Sequence, residues 1–184
     1  ATLVMTAKAA ELRAAGKPVI NLSVGEPDFP TPENIRNAGK RAIDEGHTRY
    51  TPGGGTLELK KAVVKKLSRD NDLHYDTSQI LISCGGKHSL YNACQALFQS
   101  GDEVIIFSPY WVSFPDFVSV TGAKPIFVNT DPARQFEPVM DDLKAKITSR
   151  TKGIIINSPS NPTGGVWSDE AVLKVLEIAE TAGV

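Results

Sequence analysis

Three short segments of this chain hold residue types suited to anions, flat rings and polarised oxygens, and each follows an apolar run. In Cys84-Gly85-Gly86-Lys87, paired glycines let an anion approach the backbone, and a helix starting there would offer free N–H groups and the positive end of its dipole. The same four residues would also make a tight strand-to-helix turn with no ligand. In Pro109-Tyr110-Trp111, the indole can lie over a planar ring or serve as a core or interface residue. The third run, Ile154-Ile155-Ile156-Asn157-Ser158-Pro159-Ser160-Asn161-Pro162-Thr163-Gly164, reads as a buried strand that delivers a polar Asn into a tight Pro/Gly turn. Asn161 there either shapes the turn, since Asn-Pro commonly opens one, or presents its carboxamide to a ligand.

Other chemistries fit poorly. A phosphate-binding Walker loop would need Gly where Leu81 stands and Ser or Thr where His88 stands. Gly53-Gly54-Gly55 has Glu58 in place of the third glycine of a dinucleotide fingerprint, and no strand precedes it. His47, His74 and His88 are too scattered for a metal site. There is no Gly-x-Ser-x-Gly elbow and no Cys-His pair with a plausible orienting residue. Glu26 and Asp28 brace a Gly-Glu-Pro-Asp loop better than they catalyse.

The elements that must position these segments follow from periodicity and punctuation. Residues 3–15 read as a helix stopped by Gly16-Lys17-Pro18, and Val19–Ser23 as a short strand entering a Gly/Pro loop over residues 25–30. Thr31-Pro32-Glu33 is a helix start, with Thr31 as cap, Pro32 at the first helical position and Glu33 at the positive end; Gly46 ends it. Residues 57–70 are amphipathic, with Lys60, Lys61, Lys65 and Lys66 on the wet face against Leu57, Ala62, Val63 and Leu67. From residue 80 strands and helices alternate: strands Ile80–Cys84, Glu103–Phe107, Pro125–Asn129 and Lys152–Asn157; helices His88–Gln99, Trp111–Thr121, Met140–Ile147 and a last one from cap Ser168 to Ala182. Such alternation implies an α/β fold whose mainly parallel sheet carries helices on both faces. Its ligand edge is the carboxyl ends of the strands, where all three segments fall.

Bulk properties narrow the classes further. The chain has 184 residues, a net charge of −1 and 41% apolar residues, ordinary for a globular protein. Mixed, nearly cancelling charges leave no nucleic-acid footprint, and no apolar run approaches a membrane span. Residues 1–13 lack a secretory-signal layout. Two cysteines, Cys84 and Cys94, exclude a disulfide scaffold and are expected to be buried free thiols in a reducing cytoplasm.

Taken with Val24-Gly25-Glu26-Pro27-Asp28-Phe29, the three segments resemble the class I aminotransferases, pyridoxal-phosphate enzymes of fold type I, and among them the bacterial-type aspartate aminotransferases. The resemblance covers essentially the whole chain, and the ordered Asn-Pro-Thr-Gly behind a hydrophobic strand is its most specific part. It implies a three-layer α/β/α fold, incomplete in this chain, with about four of the family's seven large-domain strands. Residues 1–46 would contribute to the small domain and 47–184 would form the first part of the large cofactor-binding domain. By resemblance, Gly86 and Lys87 hold the phosphate of pyridoxal 5'-phosphate through their N–H groups, Trp111 stacks on its ring, and Asn161 hydrogen-bonds its phenolic oxygen. Tyr50 reaches the cofactor phosphate of a neighbouring subunit, which implies a homodimer. Gly25, Lys87, Trp111 and Asn161 contact the substrate, Lys87 receiving a second carboxylate. Pro109 and Pro162 match positions that take cis peptide bonds.

The resemblance implies reversible transfer of an amino group between an amino acid, aspartate favoured, and a 2-oxo acid. The family's Schiff-base lysine follows a Ser-x-x-Lys pattern that none of the lysines from Lys8 to Lys174 satisfies. That lysine, the aspartate on the ring nitrogen and the substrate-binding arginine are expected beyond Val184. A four-stranded sheet with an open edge is a poor stopping point, so residues 1–184 alone are expected neither to fold stably nor to transaminate. Two other readings stay open: a lyase or synthase of the same fold, and the aminotransferase-like ligand-binding domain of a transcription regulator.

Overall fold

The computed structural model describes residues 2–22 and 25–184, which fall into two compact units, residues 1–51 and 52–184. The first unit holds helices α1 (Thr2–Ala14) and α2 (Glu33–Asp44). Gly16, with φ +74°, ends the first helix, and the Arg13 guanidinium folds back to donate to the Val19 carbonyl at 3.3 Å. Residues 19–22 form no strand; Ser23, the last residue of the expected strand, and Val24 lie outside the described residues. Thr31 is not the cap of α2. Pro32 takes that position with no side-chain bond, leaving the first-turn carboxylate of Glu33 as the element's N-terminal stabiliser.

The second unit opens with α3 (Leu57–Asn71), whose Thr56 hydroxyl accepts the Leu59 amide. After a 3₁₀ turn at Thr77–Gln79 come α4 (Gly86–Leu97), β1 (Glu103–Ser108), α5 (Ser113–Ser119) and β2 (Lys124–Asp131). A second 3₁₀ turn (Pro132–Arg134) leads to β3 (Glu137–Pro138), α6 (Met140–Lys146), β4 (Thr151–Ile155) and α7 (Asp169–Ala182). The sheet order is β3-β2-β1-β4. β1 pairs in parallel with both β2 and β4, and β3 runs antiparallel to β2. In register, Ile105 sits between Ile126 and Ile154.

Among the described residues there are four strands, but not the expected four. Ile80–Cys84 joins no sheet among the described residues: the Ile82 amide donates to the carbonyl of Gly54 at 3.0 Å instead. Gly55, at φ +96°, lets the 52–55 loop come this close, since a Cβ there would lie 2.4 Å from Ile82 Cγ1. The fourth strand is the two-residue β3, too short to leave a periodic signature.

Alternation along β1 makes the core two-sided, as expected of a strand flanked on both edges by parallel partners. Val104 and Ile106 pack with Cys94, Phe114, Phe117 and Val118, beneath α4 and α5. Ile105 and Phe107 pack with Val128, Leu143, Trp167, Ala171 and Val175, beneath α6 and α7. Of the two cysteines only Cys94 is buried, in the cluster under α4 and α5; Cys84, on a segment that joins no sheet among the described residues, is exposed rather than buried as expected. At the amino end of β1, buried Glu103 accepts from Thr148 Oγ1 (2.6 Å) and from Arg150 through both Nε and Nη2. The Thr148 hydroxyl and the guanidinium hold its carboxyl below the usual range.

Candidate active site

The carboxyl ends of β1 and β4 and the start of α4 carry the three segments. Gly85 precedes α4 at φ 86°, ψ 163°, a region open essentially to glycine alone. The first two helical amides, Gly86 and Lys87, have no acceptor among the described residues, whereas those of His88 and Ser89 turn back to Gly85. A Cβ at Gly85 or Gly86 would meet nothing within 4 Å, so the approach to these amides is open. The next residue turns its charge toward the ring: Lys87 Nζ lies 5.2 Å from the centroid of Trp111, within cation–π range. Trp111 is steadied by edge contacts with Phe114 (5.5 Å) and Phe117 (5.9 Å). One small platform thus combines two free N–H groups, an ammonium and an aromatic face.

Beyond β4, residues 157–168 make a loop held mostly by its own groups. Asn157 Oδ1 accepts the Asn161 amide at 2.9 Å, the Ser160 amide donates to Gly165 O, and Gly164 N donates back to Ser160 O. The bonds Ser108–Pro109 and Asn161–Pro162 are cis, as expected, and Ser158–Pro159 is cis as well. Asn157, Ser160 and Asn161 line one cleft with Pro109, Tyr110 and Phe136. Tyr110 is fixed there by stacking on Phe127 at 4.9 Å. The carboxamide of Asn161 has no hydrogen-bond partner among the described residues, so it retains two donors and an acceptor for a ligand.

The far end of the loop is fastened to the sheet edge. Trp167 Nε1 donates to Phe136 O at 2.8 Å, and its ring meets Phe107 edge-on at 4.8 Å. Buried Glu137 accepts from both the amide and the hydroxyl of Ser168, and pairs with Arg134 at 2.8 Å. These donors, Ser168 foremost, hold the Glu137 carboxyl below the usual range.

Of the residues singled out from sequence, Lys87 and Trp111 meet directly, with Gly86 at the same helix start. Asn161 lies in the cleft that begins beside Trp111, at Tyr110. Gly25 and Tyr50 belong to the first unit, where both are exposed. Sequence reasoning missed the fastening residues Phe136, Glu137 and Trp167. Two consecutive left-handed non-glycine residues, Gln135 (φ 52°) and Phe136 (φ 62°), turn the chain into β3. No local composition signal marks them.

Together these features define an α/β protein with a candidate ligand site at the carboxyl edge of its parallel strands. The family follows from comparison: the chain belongs to the class I and II aminotransferases, whose family model matches residues 17–184. It is 47% identical over 184 residues to the aspartate aminotransferase of Geobacillus stearothermophilus, covering 100% of this chain and 47% of that protein. It is 48% identical over 177 residues to the aspartate/prephenate aminotransferase of Cereibacter sphaeroides, covering 96% and 44%. The Thermus thermophilus aspartate aminotransferase solved with maleate superposes at a TM-score of 0.93, with 41% identity over 99% of this chain and 48% of that one. The chain spans about half the length of the curated relatives it matches.

Proposed function

We propose that the protein carrying this chain is a pyridoxal-phosphate-dependent aminotransferase. It moves an amino group between an amino acid, aspartate favoured, and a 2-oxo acid. The observation that carries this reading is the platform at the start of α4: two unpartnered amides, an open glycine approach, and Lys87 beside the Trp111 ring. These donors fit a phosphate group, the indole fits a pyridine ring, and the free Asn161 carboxamide fits a phenolic oxygen.

In this reading the Gly86 and Lys87 amides bind the phosphate, and the dipole of α4 favours its charge. The Trp111 ring fixes the plane of the cofactor, and the Asn161 carboxamide donates to its phenolic oxygen. Lys87 attracts the second carboxylate of a dicarboxylic substrate. The dicarboxylate maleate in the similar Thermus enzyme supports that preference. When bound, the cofactor supplies an electron sink for the carbanion formed at the substrate's alpha carbon. What this chain supplies is binding and orientation. Gly25, with open space at its Cβ, is assigned to the substrate carboxylate, and Tyr50 to the cofactor phosphate of the second subunit in a homodimer. We further assign residues 1–46 to the small domain and 47–184 to the large cofactor-binding domain, and place the protein in the cytoplasm, consistent with its two free thiols. The same-fold lyase and regulator readings are not favoured, since the relatives are named aminotransferases.

The test is the visible absorbance of the naturally encoded protein, before and after L-aspartate. A cofactor band that shifts with aspartate, with oxaloacetate released, is the expected result. No band after incubation with pyridoxal phosphate would overturn the reading.

A further inference from the structure

In the loop from β4 to α7 the carboxamide of Asn161 is uncommitted among the described residues, and another residue aims it. Asn161 has its backbone amide bound and its carboxamide free, and the acceptor of that amide is the side-chain oxygen of Asn157, 2.9 Å away. Asn157 follows β4 by two residues and is itself half-buried, so its root is fixed by the sheet while Asn161 rides on an exposed turn. Ser160 and Gly164 or Gly165 exchange backbone bonds across that turn. Among the described residues no other bond joins the Asn161 backbone to the strand side of the loop.

We propose that Asn157 is a positioning residue that acts through Asn161. By accepting the Asn161 N–H it sets the direction in which the Asn161 carboxamide enters the cleft shared with Pro109 and Tyr110. The proposal rests on the aminotransferase reading and extends it to a residue that does not itself hold cofactor. Only an acceptor is required at this point, because the Asn161 amide can only donate. Aspartate therefore meets the requirement, and leucine, of similar size, does not.

The experiment compares wild type, Asn157→Leu and Asn157→Asp in the naturally encoded protein. Three quantities are read: hydrogen exchange of the Asn161 amide without cofactor, the pH midpoint of the bound cofactor's visible absorption, and kcat and KM for L-aspartate. The expected result for Asn157→Leu is faster exchange at Asn161, a displaced midpoint and a kcat reduced roughly 10- to 100-fold, with KM changed much less. Asn157→Asp is expected to restore slow exchange. If leucine disturbs folding, Asn157→Ala makes the same comparison. Wild-type exchange, midpoint and kcat in a folded Asn157→Leu or Asn157→Ala would overturn this proposal and leave the aminotransferase reading standing. A wild type that binds no cofactor would sink both.

Discussion

At the scale of single residues, the carboxylate of Glu137 shows how a buried charge can fasten the loop that carries Asn161. It accepts two bonds from Ser168, the cap of α7, and one contact from Arg134. Removing its charge by Glu137→Gln is expected to cost about 1.5–3 kcal/mol at neutral pH, the scale of bonds to an ionised acceptor, measured by urea unfolding. The pH dependence has a definite sign. The folded-state pKa of Glu137 lies below its ordinary value, so its contribution is complete above the unfolded pKa and lost as pH falls through the folded one. Glu103 and Asp142 are lowered likewise, by Thr148 and Arg150 in one case and by the Asn129 amide and Lys146 in the other. The melting temperature should therefore drop on acidification below the ordinary carboxylate range, and Glu137→Gln should make that drop shallower. An equally steep drop in the variant would show that Glu137 is not one of the groups responsible.

At the scale of elements, the contact that seats the Asn161 loop is a backbone one. A Cβ on Gly165 would lie 2.3 Å from the carbonyl oxygen of Gln135, and no rotamer change relieves a clash with backbone. Gly165→Ala is expected to destabilise by about 1–3 kcal/mol, with loss of the Trp167–Phe136 bond visible as faster exchange of the indole N–H. This fastening was the part of the site least legible in the sequence. Helices and parallel strands announce themselves by periodicity, and α7 runs from the expected cap, Ser168, to Ala182. β3 has two residues and no period, and its approach depends on left-handed Gln135 and Phe136, residue types that seldom mark such turns. Ile80–Cys84 failed as a strand for the opposite reason. Its apolar run is real, but its ladder partner is a glycine loop rather than a strand. Lys87 beside Trp111 joins residues 24 positions apart, which local pattern alone cannot pair.

At the scale of the whole molecule, the two units differ in what sustains them. None of residues 4–22 and 25–51 is buried, and Ile20, Leu22 and Phe29 are more than four-fifths exposed. The second unit has a core on each face of its sheet. A peptide of residues 1–51 is accordingly expected to show little helix by circular dichroism, since short helices without tertiary burial are marginal in water. The slowest-exchanging amides of the chain should be those of β1; a first-unit amide slower than Ile105 would refute this. The two tryptophans, both in the second unit, divide between the faces of its sheet. Trp111 packs against the cluster under α4 and α5, and Trp167 lies within the cluster under α6 and α7. Each half-core thus has its own fluorophore. With Trp111→Phe and Trp167→Phe variants, emission becomes a separate optical channel for each face, and the order in which the two faces loosen can be watched directly.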